Sequence, residues 1–160
     1  MKPKIAIIGS GNIGWALKQL LKDDYDLKQG DIEDGFDASD IEQVRKFLTG
    51  NDAVISAGPF VVNKNVATVA SEKGIGYFDL TEDVETTDYI KKLNSENILM
   101  PQCGLAPGAI NICAAGMMEQ FDISIIGGGI VGLSTAYKLQ SKYPNLKIAV
   151  IEKENSLAYH

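Results

Sequence analysis

Short apolar runs alternate with amphipathic stretches along most of the chain, and the alternation predicts its elements. Residues 4–8 are an apolar run stopping at Gly9, the pattern of a strand buried on both faces. Ile13, Leu17, Leu20 and Leu21 recur at helical spacing and should cover one face of a helix. Tyr25 to Gln29 reads as a second strand, with Asp31 just beyond its end. Ser39-Asp-Ile-Glu42 has the form of a capping box, with Ser39 at the cap and Glu42 at the third helical position. The helix it opens should bury Ile41, Val44, Phe47 and Leu48. Residues 53–57 predict a third strand, closed by Gly58-Pro59, and residues 62–72 a helix with Val66, Val69 and Ala70 inward, ending near Gly74. A fourth strand at 75–79, a polar helix at 84–93 and a fifth strand at 98–100 follow. Pro107-Gly108 should open an apolar, small-residue helix reaching about Met118. Strands alternating with helices through short connections imply an α/β fold, a doubly wound parallel sheet with right-handed crossovers.

After Gln120 the pattern starts again. Phe121 to Ile126 reads as a strand, residues 130–142 as a helix, and Lys147 to Ile151 as a strand ending at Glu152, while residues 153–160 show no periodicity. The expected division is therefore 1–120 and 121–160, with no Ser/Pro-rich linker at the join. A single βαβ unit is too small to close a core of its own. It is expected to add its strands to the first sheet, to swap onto another copy, or to stay poorly packed.

Composition narrows the function classes. With a hydrophobic content of 45%, a charged content of 22% and a net charge of −6, the chain has no basic stripe for nucleic acid. No basic amphipathic helix stands out for a membrane surface, and the apolar run after Met1-Lys-Pro-Lys4 stops at Gly9, too short for a signal peptide or a span. Cys103 and Cys113 alone cannot make a structural zinc site, and two thiols fit a reducing compartment, so the cytoplasm is the expected location.

The candidate chemistry lies in two glycine fingerprints. Gly9-Ser10-Gly11-Asn12-Ile13-Gly14 follows the first apolar run, and Gly127-Gly-Gly129-Ile-Val-Gly132 follows the run Ile123-Ser-Ile-Ile126. In this pattern the first glycine turns sharply out of a strand. The second lets backbone approach a pyrophosphate, and the third lets the helix pack against the strand. The phosphates then meet free N–H groups at the positive end of the helix dipole. Asp31 is placed to accept hydrogen bonds from the adenosine ribose, or else is a solvated turn residue. A 2′-phosphate about 4 Å from a carboxylate would meet a repulsion of about 4 kcal/mol at an effective dielectric near 20. Glu33 and Asp34 follow with no adjacent Lys or Arg, so NAD is expected over NADP. Gly58-Pro59-Phe60, after the third strand, should border the nicotinamide half of the cofactor or form a structural turn. Asp79, Thr81, Glu82 and Asp83 cluster on the same edge, suited to an amino-acid ammonium group or to capping the next helix. Cys103 faces the same crevice but has no histidine near in sequence to activate it, and Cys113 on its apolar helix is expected in the core.

Residues 1–120 resemble the amino-terminal, Rossmann-like domain of the saccharopine dehydrogenase family. The segments that carry the likeness are 4–14, Asp52-Ala-Val-Ile-Ser-Ala-Gly-Pro-Phe60, Tyr77-Phe-Asp-Leu-Thr-Glu-Asp83 and Met100-Pro-Gln-Cys-Gly-Leu-Ala-Pro-Gly108. The resemblance implies NAD(P)-linked oxidation of an amino acid or secondary amine, with hydride passing to the nicotinamide. Gly9, Gly11, Gly14 and Asp31 would bind cofactor, with Pro59 and Phe60 on its nicotinamide side. In that family a long second domain supplies much of the substrate pocket and usually a dimer surface. Its absence here implies an incomplete catalyst, and a homo-oligomer is one expectation.

Residues 121–160 are similar to the opening of FAD-dependent oxidoreductases of the L-2-hydroxyglutarate oxidase and D-amino-acid oxidase type. Residues 121–136 and Lys147-Ile-Ala-Val-Ile-Glu-Lys153 carry the match. It implies FAD contacts at Gly127, Gly129, Gly132 and Glu152, or a segment that only completes a sheet. Three readings result: an NAD(P)-binding oxidoreductase domain, a flavin-linked enzyme piece, and a non-catalytic dinucleotide-binding or interaction module.

Overall fold

The computed structural model describes residues 2–106 and 108–157, which fall in two compact units, Met1–Ala109 and Ile110–His160. In the first unit, β1 (Lys4–Ile8) lies between the edge strand β2 (Asp26–Gly30) and β3 (Ala53–Ser56), with β4 (Gly76–Asp79) and β5 (Leu99–Met100) beyond β3. Every pairing is parallel and the strand order is β2-β1-β3-β4-β5. Parallel neighbours need crossovers, and the helices supply them: α1 (Asn12–Leu21), α2 (Ile41–Phe47), α3 (Asn63–Lys73) and α4 (Val84–Lys91). The chain thus has the expected α/β, Rossmann-like architecture.

Side chains alternate across each strand, which divides the unit into two layers. Ala6, Ile8, Val54 and Tyr77 point to one face and join Val44, Leu48, Val66, Val69, Ala70 and Ile90 in the core beneath α2, α3 and α4. α1 lies on the opposite face, where the space beside Gly14 is closed by the Gln29 side chain. It packs over β1 without a flanking helix of the kind that α2, α3 and α4 give one another. The sequence expectation for this helix is therefore corrected: Ile13 and Leu20 are 53% and 75% exposed, while Leu17 and Leu21 are half-buried.

The cap of α2 also differs from the expected box. Asp40 is the capping residue, its Oδ1 accepting from the N–H groups of Glu42 and Gln43. Ser39 instead donates from both its N–H and its hydroxyl to Asp37 Oδ1. A carboxylate next to the helix outcompetes the neighbouring hydroxyl for two N–H donors, because charge-assisted bonds are the stronger ones. α3 ends as expected at Gly74, in left-handed conformation with φ +63.

In the second unit, β6 (Ile123–Ile126) and β7 (Ile148–Ile151) pair in parallel in a sheet of two, joined by α6 (Ile130–Lys142) and preceded by α5 (Ala109–Met118). No residue in any of these four elements is buried. Cys113, expected in a core, is exposed, although α5 is almost wholly apolar. Pro107, expected to open α5, lies outside the described residues. No helix among the described residues is long and apolar enough to cross a membrane.

Candidate dinucleotide sites

The turn out of β1 is fixed by backbone. Gly9 has φ +99, its N–H donates to the Gly30 carbonyl at 2.9 Å, and a Cβ there would lie 2.8 Å from the Ala57 carbonyl oxygen. At Gly14 a Cβ would lie 2.1 Å from the Gly9 carbonyl oxygen, so α1 can pass this close to the strand end only without a side chain. Gly11 differs, since a Cβ there would meet nothing within 4 Å. It is also the N-cap of α1, with no side-chain cap and no acid in the first turn. The leading N–H groups of α1, at Asn12 and Ile13, thus have no anion within the helix to satisfy them, and the positive end of the dipole faces open space.

Asp31 stands at the tip of β2, directly beside this loop. Its Oδ2 accepts from the Ser10 N–H at 2.6 Å and its Oδ1 from the Glu33 N–H at 3.2 Å. These backbone donors, Glu33 first and then Ser10, hold the carboxyl below its ordinary range. Each oxygen keeps a lone pair for a further donor such as a ribose hydroxyl. Two crevices flank the loop. One, of about 140 Å³, is lined by Asp31, Ile32, Phe36, Ala38, Pro59 and Val62 among others, an apolar slot next to an acid. The other, of about 460 Å³, lies among Ile13, Gly58, Phe60, Leu80, Thr81 and Glu82. Gly9, Asp31, Gly58 and Pro59 are thus brought to the first crevice, and Ile13, Gly58, Phe60, Thr81 and Glu82 to the second.

Asp79 is not in that lining. It is fully buried beneath it, with both carboxylate oxygens taken up by protein donors. Asp83 caps α4, accepting from Thr86 at 2.7 Å. The Cys103 thiol is half-buried and donates to the Met100 carbonyl, and burial together with Asp79 raises its pKa, which is the wrong direction for a nucleophile. The sequence reading missed Ile32, Phe36 and Ala38, whose signal is an apolar residue recurring within an otherwise acidic, polar loop, and Val62, in the apolar run after Pro59. It also missed Gln29, whose Nε2 donates to the Gly9 carbonyl at 3.0 Å and braces the turn from the strand side.

The second fingerprint repeats this construction in its own unit. Gly127 has φ +105 and donates to the Ile151 carbonyl at 2.8 Å, and a Cβ on Gly132 would lie 1.9 Å from the Gly127 carbonyl oxygen. Gly129, the uncapped N-cap of α6, again has nothing within 4 Å of a Cβ. Glu152 Oε2 accepts from Gly128 N–H at 2.6 Å and Oε1 from Glu154 N–H at 3.0 Å, and these donors hold its carboxyl low. A space of about 370 Å³ opens here beside Ile126, Gly129, Ile130, Val131 and Thr135. One feature differs: a Cβ on Gly127 would meet nothing, because β6 has no strand where β1 has β3.

Comparison with known proteins agrees with both resemblances. Residues 122–160 match the family model described as FAD dependent oxidoreductase. The human mitochondrial L-2-hydroxyglutarate dehydrogenase is 45% identical over 62 residues, 36% of this chain and 13% of that protein. The Bos taurus counterpart is 60% identical over 42 residues, 26% of this chain and 9% of that protein, and the Caenorhabditis briggsae one 54% identical over 43 residues, 27% and 10%. The chain spans about a tenth of the length of the curated relatives it matches. Among solved structures, the apo saccharopine dehydrogenase (L-Glu forming) of Saccharomyces cerevisiae is similar in fold, with a TM-score of 0.63 at 18% identity over 78% of this chain and 34% of that one. An oxidoreductase from Sinorhizobium meliloti gives a TM-score of 0.54 at 19% identity, over 79% of this chain and 45% of that one. The chain thus combines a fold shared with saccharopine dehydrogenase and, at residues 122–160, a segment similar to the FAD-dependent oxidoreductase family.

Proposed function

We propose that the second unit binds the adenosine diphosphate half of FAD and serves a flavin-linked oxidoreductase, with oxidation of a 2-hydroxy acid as the reaction class. The family match at 122–160 supports this reading, and the observation that carries it is the geometry at Gly129 and Glu152. An open, Cβ-free approach to an uncapped helix N-terminus fits a pyrophosphate, and a carboxylate tied to the same loop fits the ribose. Flavin, when bound, supplies the redox chemistry. The protein's share here is to hold the diphosphate through the N–H groups at the start of α6 and to orient the ribose through Glu152. Titration of the full chain with FAD, followed by calorimetry and flavin fluorescence, tests this. Micromolar affinity, lost in Gly129→Val, is expected; no FAD affinity in the wild type overturns it.

A second reading is favoured by the Ser10–Asp31 contact and the two crevices of the first unit: this unit takes NAD, with adenine in the slot at Phe36 and nicotinamide by Phe60. The reaction would then be oxidation of an amino acid or secondary amine, with Thr81 and Glu82 on the substrate side. The acids Asp31, Glu33 and Asp34 favour NAD over NADP. Free thiols at Cys103 and Cys113 suit a reducing compartment such as the cytoplasm. Titration with NAD and NADP tests the reading. Binding of neither, by a chain that also binds no FAD, would leave the non-catalytic interaction module.

A further inference from the structure

We infer that Asp79 is a positioning residue that fastens the loop after β4, which lines the larger crevice, to the loop after β5, an inference that rests on reading the first unit as a dinucleotide site. Asp79 ends β4 and is 0% exposed, and it makes no ion pair among the described residues. Its carboxylate is satisfied by four neutral donors. Oδ1 accepts from the backbone N–H groups of Thr81 at 2.9 Å and Gln102 at 3.0 Å. Oδ2 accepts from Asn63 Nδ2 at 3.1 Å and the Tyr77 hydroxyl at 2.6 Å. The Asp79 carbonyl also accepts from Cys103 N–H at 2.7 Å. Asn63 in turn accepts from the Ser56 hydroxyl at 2.7 Å, so the network reaches the end of β3 as well.

The partners are what make this more than a satisfied core group. Thr81 and Asn63 line the crevice, and Gln102 stands on the loop after β5. Gln102 has φ +67, left-handed backbone that a residue with a Cβ adopts only when its surroundings hold it there. The bond from its N–H to Asp79 is the hold visible in the structure. Oδ1 faces two backbone N–H groups, which can only donate, so that oxygen has to remain an acceptor. An isosteric amide would turn its NH₂ either to those two backbone N–H groups or to Asn63 Nδ2, itself a donor, and so lose at least one bond.

Asp79→Asn in the full chain is the test, read by amide hydrogen exchange and by affinity for NADH and for ADP-ribose. Exchange at Thr81 and Gln102 is expected to accelerate by about 100-fold or more, with amides of β1 unchanged. NADH affinity should fall by about tenfold, the scale of a lost buried hydrogen bond to a charge. ADP-ribose, which lacks the nicotinamide, should bind within about twofold of wild type because its site is remote from the change. Equal loss for both ligands, or unchanged exchange at Gln102, overturns the inference. Should the variant not fold, wild-type exchange decides: Thr81, Gln102 and Cys103 must exchange slowly and at one common rate, and independent fast exchange sinks the proposal. If wild type binds neither NADH nor ADP-ribose, the dinucleotide reading of this unit fails, while the exchange data still judge Asp79.

Discussion

The N–H of Ser10 donates to Asp31 Oδ2 at 2.6 Å, tying the glycine loop after β1 to the tip of β2 across 21 residues of sequence. The pair recurs in the second unit as Gly128 N–H and Glu152 Oε2, also at 2.6 Å. In each unit the acid also accepts from the N–H two residues further on, Glu33 or Glu154. One carboxylate thus shapes the loop that would meet the diphosphate and stands ready for the sugar. On the dinucleotide reading, phosphate geometry and ribose choice would be coupled through a single side chain.

Replacing Asp31 with Ser removes the charge that opposes a 2′-phosphate. NAD affinity should fall by about tenfold as the charge-assisted ribose bonds are lost, and NADP should gain relative to NAD. Parallel calorimetric titrations with both nucleotides check this; an unchanged NAD/NADP ratio removes the ribose role from Asp31.

Both acids have their pKa lowered in the folded protein by backbone donors. Their contribution is therefore present above the unfolded values, about 3.9 for Asp and 4.3 for Glu, and is lost as pH falls through the lower folded values. Stability should be level in this respect above about pH 5 and decline only below about pH 4. The amide resonances of Ser10 and Gly128 should follow the same acid transition in an NMR titration. A midpoint above the unfolded value for either would contradict the hydrogen-bond assignment.

The glycines of one fingerprint should separate by role. Gly14→Ala forces a Cβ to within 2.1 Å of the Gly9 carbonyl oxygen and should destabilise the first unit by about 1–3 kcal/mol or more. Gly11→Ala meets no atom within 4 Å, so thermal stability should hold while dinucleotide affinity falls. Thermal melts and titrations of the two variants settle the division, and equal melting losses would show that the Gly11 space is structural.

At the start of α2, Asp40→Ala should lower the melting temperature, since it strips two N–H groups of their acceptor. Ser39→Ala should change it less, because the Ser39 hydroxyl serves only the turn at Asp37. The opposite order in a melting series would restore Ser39 as the cap.

Much of this molecule is legible from local pattern. A run such as Ile5-Ala-Ile-Ile8 ending in glycine reads as a buried strand entering a tight turn, and Val66, Val69 and Ala70 at helical spacing share one face. The repeated glycine spacing likewise fixes both loops, because the clash that forbids a Cβ at Gly14 or Gly132 is made by backbone five residues away. Tertiary structure decided what depends on the neighbour across space. Ile13 and Leu20 are exposed although they recur at helical spacing, and Cys113 is exposed although its helix is almost wholly apolar. Asp79, an acid like its neighbours in sequence, is buried because donors from four separate positions converge on it. Periodicity records which face a residue presents; only the assembled layers determine whether that face is covered.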